Sequence, residues 1–202
     1  MNLQIDCVPA GPLAANCYII TNPERKECFI VDPGGNPERI MSHITHSPVA
    51  VLLTHGHSDH IGGVDALCGE YHIPLYIHEG DASKLTSAGE NLSGAFGTSF
   101  TVQTAPALLR DGEILTLAGI PITVLHTPGH SAGSVCYLLP DGQGILTGDT
   151  FFAHGYGRTD FADGSYSDLV QSLRRLFHLT PKMTAYPGHD EPGIIGRDPE
   201  VG

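Results

Sequence analysis

A chain of 202 residues with 41% hydrophobic and 16% charged side chains is long enough for a well-buried core, and a single globular domain over residues 1–202 is expected. Its 22 acidic residues outnumber its 10 basic ones, for a formal charge of −12, so no cationic surplus is available to neutralise phosphates and nucleic acid is not an expected partner. No run of about 18 apolar residues and no basic-then-apolar N-terminus is present, which argues against a membrane span or a secretory signal and leaves the cytoplasm as the default location.

In chain order, short apolar runs separated by Gly and Pro predict strands at "LQIDCV", "ANCYIIT", "CFIVD", "AVLLT", "IPLYIH", "PITVLHT", "SVCYLL", "GILTGD" and "MTAYPG". Helices are fewer. "NPERIMSHIT" opens with Asn36 as a cap and Pro37 in the first turn. "SDHIGGVDALCGEYH" places Ile61, Val64, Leu67 and Tyr71 near helical spacing. "SYSDLVQSLRRLFHL" repeats that spacing with Leu169, Val170, Leu173, Leu176 and Phe177 behind Ser165 or Ser167 as cap. Residues 80–107 carry weak periodicity and many small polar side chains, so part helix and part loop is expected there. The five cysteines are odd in number and form no C-x-x-C pair, which points to reduced core residues rather than disulfides or a thiolate metal site.

The stretch "THGHSDHIGG" sets His55, His57, Asp59 and His60 directly after the buried-strand run "VAVLLT". With 12 histidines and 13 aspartates in the chain, the pattern H-x-H-x-D-H arises by chance in roughly 0.3% of chains of this length, so a purposeful cluster is the better reading than an ordinary polar loop. A metal site needs ligands from several directions. Three more strand-like segments end in such residues: His130 in "HTPGHSAGS", Asp149 in "GILTGDT" and His189 in "MTAYPGH". Alone, each reads equally as a loop histidine, a turn aspartate or a surface residue. Together the seven fit two metal sites sharing a carboxylate, with no cysteine ligand.

"THGHSDH", "HTPGHSAGS", "GDTFF", "GYGRTD" and "PGHDEP", in this order, resemble the metallo-β-lactamase superfamily and, within it, the glyoxalase II-like hydrolases. The resemblance implies an αββα sandwich with two divalent metal ions at the edge of two sheets. It assigns His55, His57 and His130 to the first ion, Asp59, His60 and His189 to the second, and Asp149 to a bridging position, with Asp32 of "VDPGG" supporting the metal loop. Asp59 and Asp149 would then be the catalytic carboxylates. Two divalent ions offset by those carboxylates and a bridging hydroxide leave such a centre at about +1, which favours an activated water and a polarised carbonyl. Zinc is the first choice, and all-His/Asp ligands also suit iron or manganese.

A thiol has a pKa near ~8.5 and departs without a proton, whereas an amide nitrogen does not, so a small thioester suits the site, and the glyoxalase II resemblance implies S-lactoylglutathione as the example. Full-length glyoxalase II enzymes carry a C-terminal helical domain with basic residues that grip glutathione. Here 13 residues follow His189, so the compact subgroup is the closer match. Arg158 in "GYGRTD" is the candidate anion-holding group, with a structural ion pair to Asp160 or Asp163 as the other reading, and His154 and Tyr156 of the same loop are candidate substrate contacts. The sequence is silent on oligomeric state.

The competing reading is a persulfide dioxygenase with one iron on residues matching His55, His130 and Asp149. That family also resembles this chain at "GRTD" but tends to carry Cys where Gly56 stands. A metal-binding protein without catalysis is a third reading, for which an open charged site is superfluous.

Overall fold

The computed structural model describes residues 2–95, 97–180 and 182–196. Two six-stranded sheets face each other. The first runs in the order β1 (Gln4–Ala10), β2 (Ala15–Asn22), β3 (Glu27–Val31), β4 (Ser47–Leu52), β5 (Leu75–His78) and β6 (Pro106–Leu109). The second runs in the order β12 (Gly193–Ile194), β11 (Thr184–Pro187), β10 (Ile145–Gly148), β9 (Val135–Leu138), β8 (Ile120–His126) and β7 (Ile114–Leu117). Helices α1 (Pro37–His43) and α3 (Val64–Tyr71) cover the outer face of the first sheet, and α4 (Tyr166–Leu179) covers that of the second.

The period of two along each strand builds these layers. In β2, Tyr18 and Ile20 point between the sheets while Cys17 and Ile19 point to the helices, and in β3 Phe29 and Val31 alternate in the same way with Cys28 and Ile30. From the second sheet, Ile122, Val124, Val135 and Tyr137 meet them in the middle, and Cys136 and Ile145 turn outward onto Leu169, Leu173 and Leu176 of α4. Strands buried on both faces read as continuous apolar runs, which is why β2 to β4 were legible.

Several expectations need correction. The predicted helix over 58–72 breaks into α2 (Ser58–Ile61) and α3, because the chain between them lies against the β3–α1 loop: Gly63 N–H donates to Pro33 O at 2.7 Å, and a Cβ on Gly62 would sit 2.6 Å from Gly34 O. Asn36 adopts a left-handed conformation and does not cap α1 with its side chain; its Oδ1 accepts from Gly11 N–H instead. Ser165, not Ser167, caps α4 by accepting from Asp168 N–H. Strands β6, β7 and β12 were not anticipated. Four cysteines are buried and unbridged as expected, whereas Cys7 is exposed. No helix among the described residues is long and apolar enough to cross a membrane.

Candidate active site

Strand ends from both sheets converge on one edge, and backbone contacts across the sheets hold them in register. Asn16 N–H donates to Gly188 O at 2.7 Å, while its side-chain amide reaches Pro187 O and Asp190 O. The Tyr137 hydroxyl donates to Leu53 O at 2.6 Å, and Val135 N–H donates to Thr54 O at 2.8 Å. The loop after β4 thereby carries His55 and His57 towards His130 after β8, Asp149 after β10 and His189 after β11. Asp59 and His60 lie on α2. At Gly188 a Cβ would fall 2.3 Å from Asp149 Oδ1, so glycine lets the last of these loops close.

The seven predicted residues come together. His55, His57 and His130 each offer a ligand atom within 4.8 Å of the others, and so do Asp59, His60 and His189. His57 Nδ1 and His130 Nε2 lie 2.9 Å apart, and Asp59 Oδ2 lies 3.2 Å from His189 Nε2. Asp149 spans the two groups. Its Oδ2 is 3.5 Å from His130 Nε2 and 3.7 Å from His189 Nε2, and its Oδ1 is 3.5 Å from His60 Nε2.

Three of the five rings are tied down through their other nitrogen, which fixes ring orientation. His130 Nδ1 pairs with Arg158 O at 2.8 Å, His60 Nδ1 with Asp32 Oδ2 at 3.1 Å and His55 Nδ1 with Thr54 Oγ1 at 3.1 Å. Asp32 is at once fastened by Thr54, whose N–H and hydroxyl donate to its two oxygens, and it takes a positive φ of 51° to reach them. It therefore ties Thr54 and His60 to the end of β3.

A polar cluster of this kind is unfavourable without a cation. His55 Nε2, His60 Nε2 and Asp149 Oδ1 are buried without a protein partner, although buried polar atoms are ordinarily paired. Burial and the neighbouring rings push His55 well below the ordinary histidine range and His57 down to about 3, so both are neutral donors. Burial also opposes charge on His60, but Asp59 and Asp149 hold it up to about 10. Neutral His55 and His57, and carboxylates that draw positive charge onto His60, suit a divalent cation, and these residues fit the two ions expected.

A cavity of about 270 Å³ opens on the cluster, lined by His57, Asp59, His130, Asp149 and His189 together with Phe152, Phe161 and Arg158. Arg158 is ion-paired within the chain. Its guanidinium forms a two-pronged pair with Asp160 at 2.6 Å for each contact, lies 4.8 Å from the centre of the Phe161 ring, and still borders the cavity. Asp163 pairs with Lys84 instead. Tyr156 and His154 do not line the cavity: Tyr156 leans on Tyr166, and His154 turns out to Glu191 at 3.2 Å because the chain folds back through the Phe152–Gly155 bridge.

Asp81 was not foreseen. Fully buried, it accepts from Gly56 N–H at 2.8 Å, Gly133 N–H at 2.7 Å and the Ser131 hydroxyl at 2.8 Å, with Lys84 Nζ at 3.3 Å. Gly56 separates His55 from His57, and Ser131 follows His130, so one carboxylate joins both loops of the first histidine group. The only sequence signal was an Asp and a Lys three residues apart in a stretch without clear periodicity.

A family model described as "Metallo-beta-lactamase superfamily" matches residues 10–189. The hydroxyacylglutathione hydrolase GloC of Haemophilus influenzae is 32% identical over 97% of this chain and 95% of its own. Among solved structures, the BLEG-1 B3 metallo-beta-lactamase superposes with a TM-score of 0.91 at 34% identity, covering 96% of this chain and 95% of that one. TTHA1623 in a di-iron-bound form superposes at 0.85 and 32% identity, covering 98% of each chain. With the site's geometry and a family match across the whole of it, this chain belongs to the metallo-β-lactamase superfamily.

Proposed function

We propose that the protein is a hydrolase of small thioesters, of the hydroxyacylglutathione type, working with two divalent metal ions. Zinc is the first choice for both, and iron or manganese suits the same ligands. The observation that carries the reading is Asp149, whose carboxylate lies within 3.7 Å of His130 in one histidine group and of His60 and His189 in the other and so suits a bridging position. His55, His57 and His130 would hold one ion and Asp59, His60 and His189 the other. Bound there, the ions supply Lewis acidity and lower the pKa of water towards neutrality.

The chain's own residues then set up the reaction. A bond forms from a water oxygen to the acyl carbon, the C–S bond breaks, and a carboxylate and a thiol are released. Asp59 Oδ2 and Asp149 face the cavity and can orient that water and receive its proton, while Phe152 and Phe161 exclude bulk solvent. Arg158 would hold an anionic group on the thiol arm. Arg158→Ala is expected to raise KM about tenfold and leave kcat within about threefold, as expected for lost uniform binding. An unchanged KM with a lower melting temperature would assign Arg158 to its ion pair with Asp160 alone.

Two other chemistries are separable. Gly56 bears on the persulfide dioxygenase reading: a Cβ there would lie 2.7 Å from Lys84 Cβ and 2.9 Å from Lys84 Cδ, so this loop has no room for the cysteine. The likeness to BLEG-1 favours β-lactams as a second reading, although an amide nitrogen needs a proton to depart and a thiolate does not. The test uses protein prepared without added metal. Metal analysis should give close to two ions per chain, and the same sample should release thiol from S-lactoylglutathione without oxygen uptake. One iron per chain, oxygen uptake with glutathione persulfide and no thiol release would overturn the proposal, as would turnover confined to a β-lactam.

A further inference from the structure

A second cavity of about 440 Å³ lies beside the first, and Leu13 and Asp59 line both. Leu13 stands in the turn between β1 and β2 with 52% of its surface exposed, although it is a large apolar residue. The rest of the wall comes from Pro12, Thr98 and Phe100, and from Gly34, Gly62 and Ser58, which contribute backbone or a small side chain. Among the described residues, Asp59 is its only ionisable lining residue, and no Lys or Arg takes part. The first cavity has Arg158. The two chambers thus meet at the carboxylate of Asp59 and differ in what they can bind: the first can hold an anion on Arg158, whereas the second offers no cation among the described residues and a mostly apolar surface.

We infer that this second chamber is the acyl subsite, taking an uncharged, apolar acyl group considerably larger than lactoyl. The inference rests on the thioesterase reading above. A substrate whose carbonyl sits at Asp59 and Asp149, with its anionic thiol arm towards Arg158, must send its acyl arm away from that cation. The neighbouring opening is this chamber. Its volume falls in the range that holds whole small-molecule ligands, far beyond the needs of a three-carbon acyl group. Exposed apolar surface at Leu13 is then covered when substrate binds, which gives it a purpose. Burying one methylene favours binding by about fourfold, so selectivity should grow along an acyl series.

The experiment compares acetyl, butanoyl and hexanoyl thioesters of glutathione on the metal-loaded protein. kcat/KM should climb about fourfold per methylene, and Thr98→Trp, which fills the chamber from an exposed loop outside both histidine groups, should erase the climb so that the three thioesters are cleaved alike. A flat or falling series, with acetyl or lactoyl thioesters turned over, would overturn the acyl subsite and leave the thioesterase reading intact. If no thioester is cleaved, that reading fails, and the chamber is judged by titrating 1-hexanol against the wild-type protein. Saturable amide shifts at Gly34, Gly62 and Phe100 that Thr98→Trp abolishes would support an apolar binding site, and their absence would overturn it.

Discussion

Asp149→Ala is expected to abolish turnover, by about a thousandfold or more, and to strip the protein of most of its metal. Asp149 lies within 3.7 Å of His60, His130 and His189, so its removal takes an anionic ligand from both groups at once. Losing several kcal/mol of charge stabilisation in the transition state corresponds to at least three powers of ten in rate. The fold should survive, because the three apolar cores are built from other residues and Asp149 contributes to none of them. Metal analysis, turnover and thermal melting in chelator distinguish these effects. Two retained ions with normal turnover would remove Asp149 from the bridge, and a chelated melting temperature far below that of the chelated wild type would make it a structural residue.

The parts of this arrangement that were legible in the sequence are those encoded locally. H-x-H-x-D-H after an apolar run is a local pattern, and strands β2 and β3 and the second half of β4, buried on both faces, leave continuous apolar stretches. Strands β6 and β7 lie on the sheet edges with residues such as Leu108 and Ile114 half exposed or more, so neither a clean alternation nor a buried run marks them. Their pairing is set by neighbours, with Pro106–Leu109 aligned to Leu75–His78 across the sheet. The Gly62 break in the helix follows from contact with the β3–α1 loop, and no local propensity shows which of two adjacent glycines touches a distant backbone. His154 and Tyr156 were placed at the site by proximity in sequence to Arg158, whereas the tight Phe152–Gly155 turn aims them elsewhere. Asp81 was missed for a related reason: its partners Gly56 and Gly133 lie 25 and 52 residues away.

Asp81→Ala is expected to destabilise the protein by about 3–5 kcal/mol and to empty one histidine group before the other. The first effect follows from what the carboxylate leaves behind. Gly56 N–H and Gly133 N–H would lose their acceptor in a buried setting, and an unsatisfied buried donor costs about 1–3 kcal/mol. Lys84, with 5% of its side chain exposed, would lose one of its two anionic neighbours; burial works against its charge, and Asp81 and Asp163 together hold it above the usual lysine range. For a chain of this size each kcal/mol moves the melting temperature by about 2–4 °C, so a fall of roughly 10 °C is expected. The second effect separates a positioning role from simple loss of stability. Asp81 fastens the loops bearing His55, His57 and His130 but makes no contact with Asp59, His60 or His189, so metal titrations well below both melting temperatures should show one weakened site and one near its wild-type affinity. Asn at this position keeps the shape but sets an amide donor against N–H groups and the Lys84 ammonium, and should not rescue the weakened site. Equal affinity at both sites in a folded Asp81→Ala protein would show that the histidine loops hold their geometry without it.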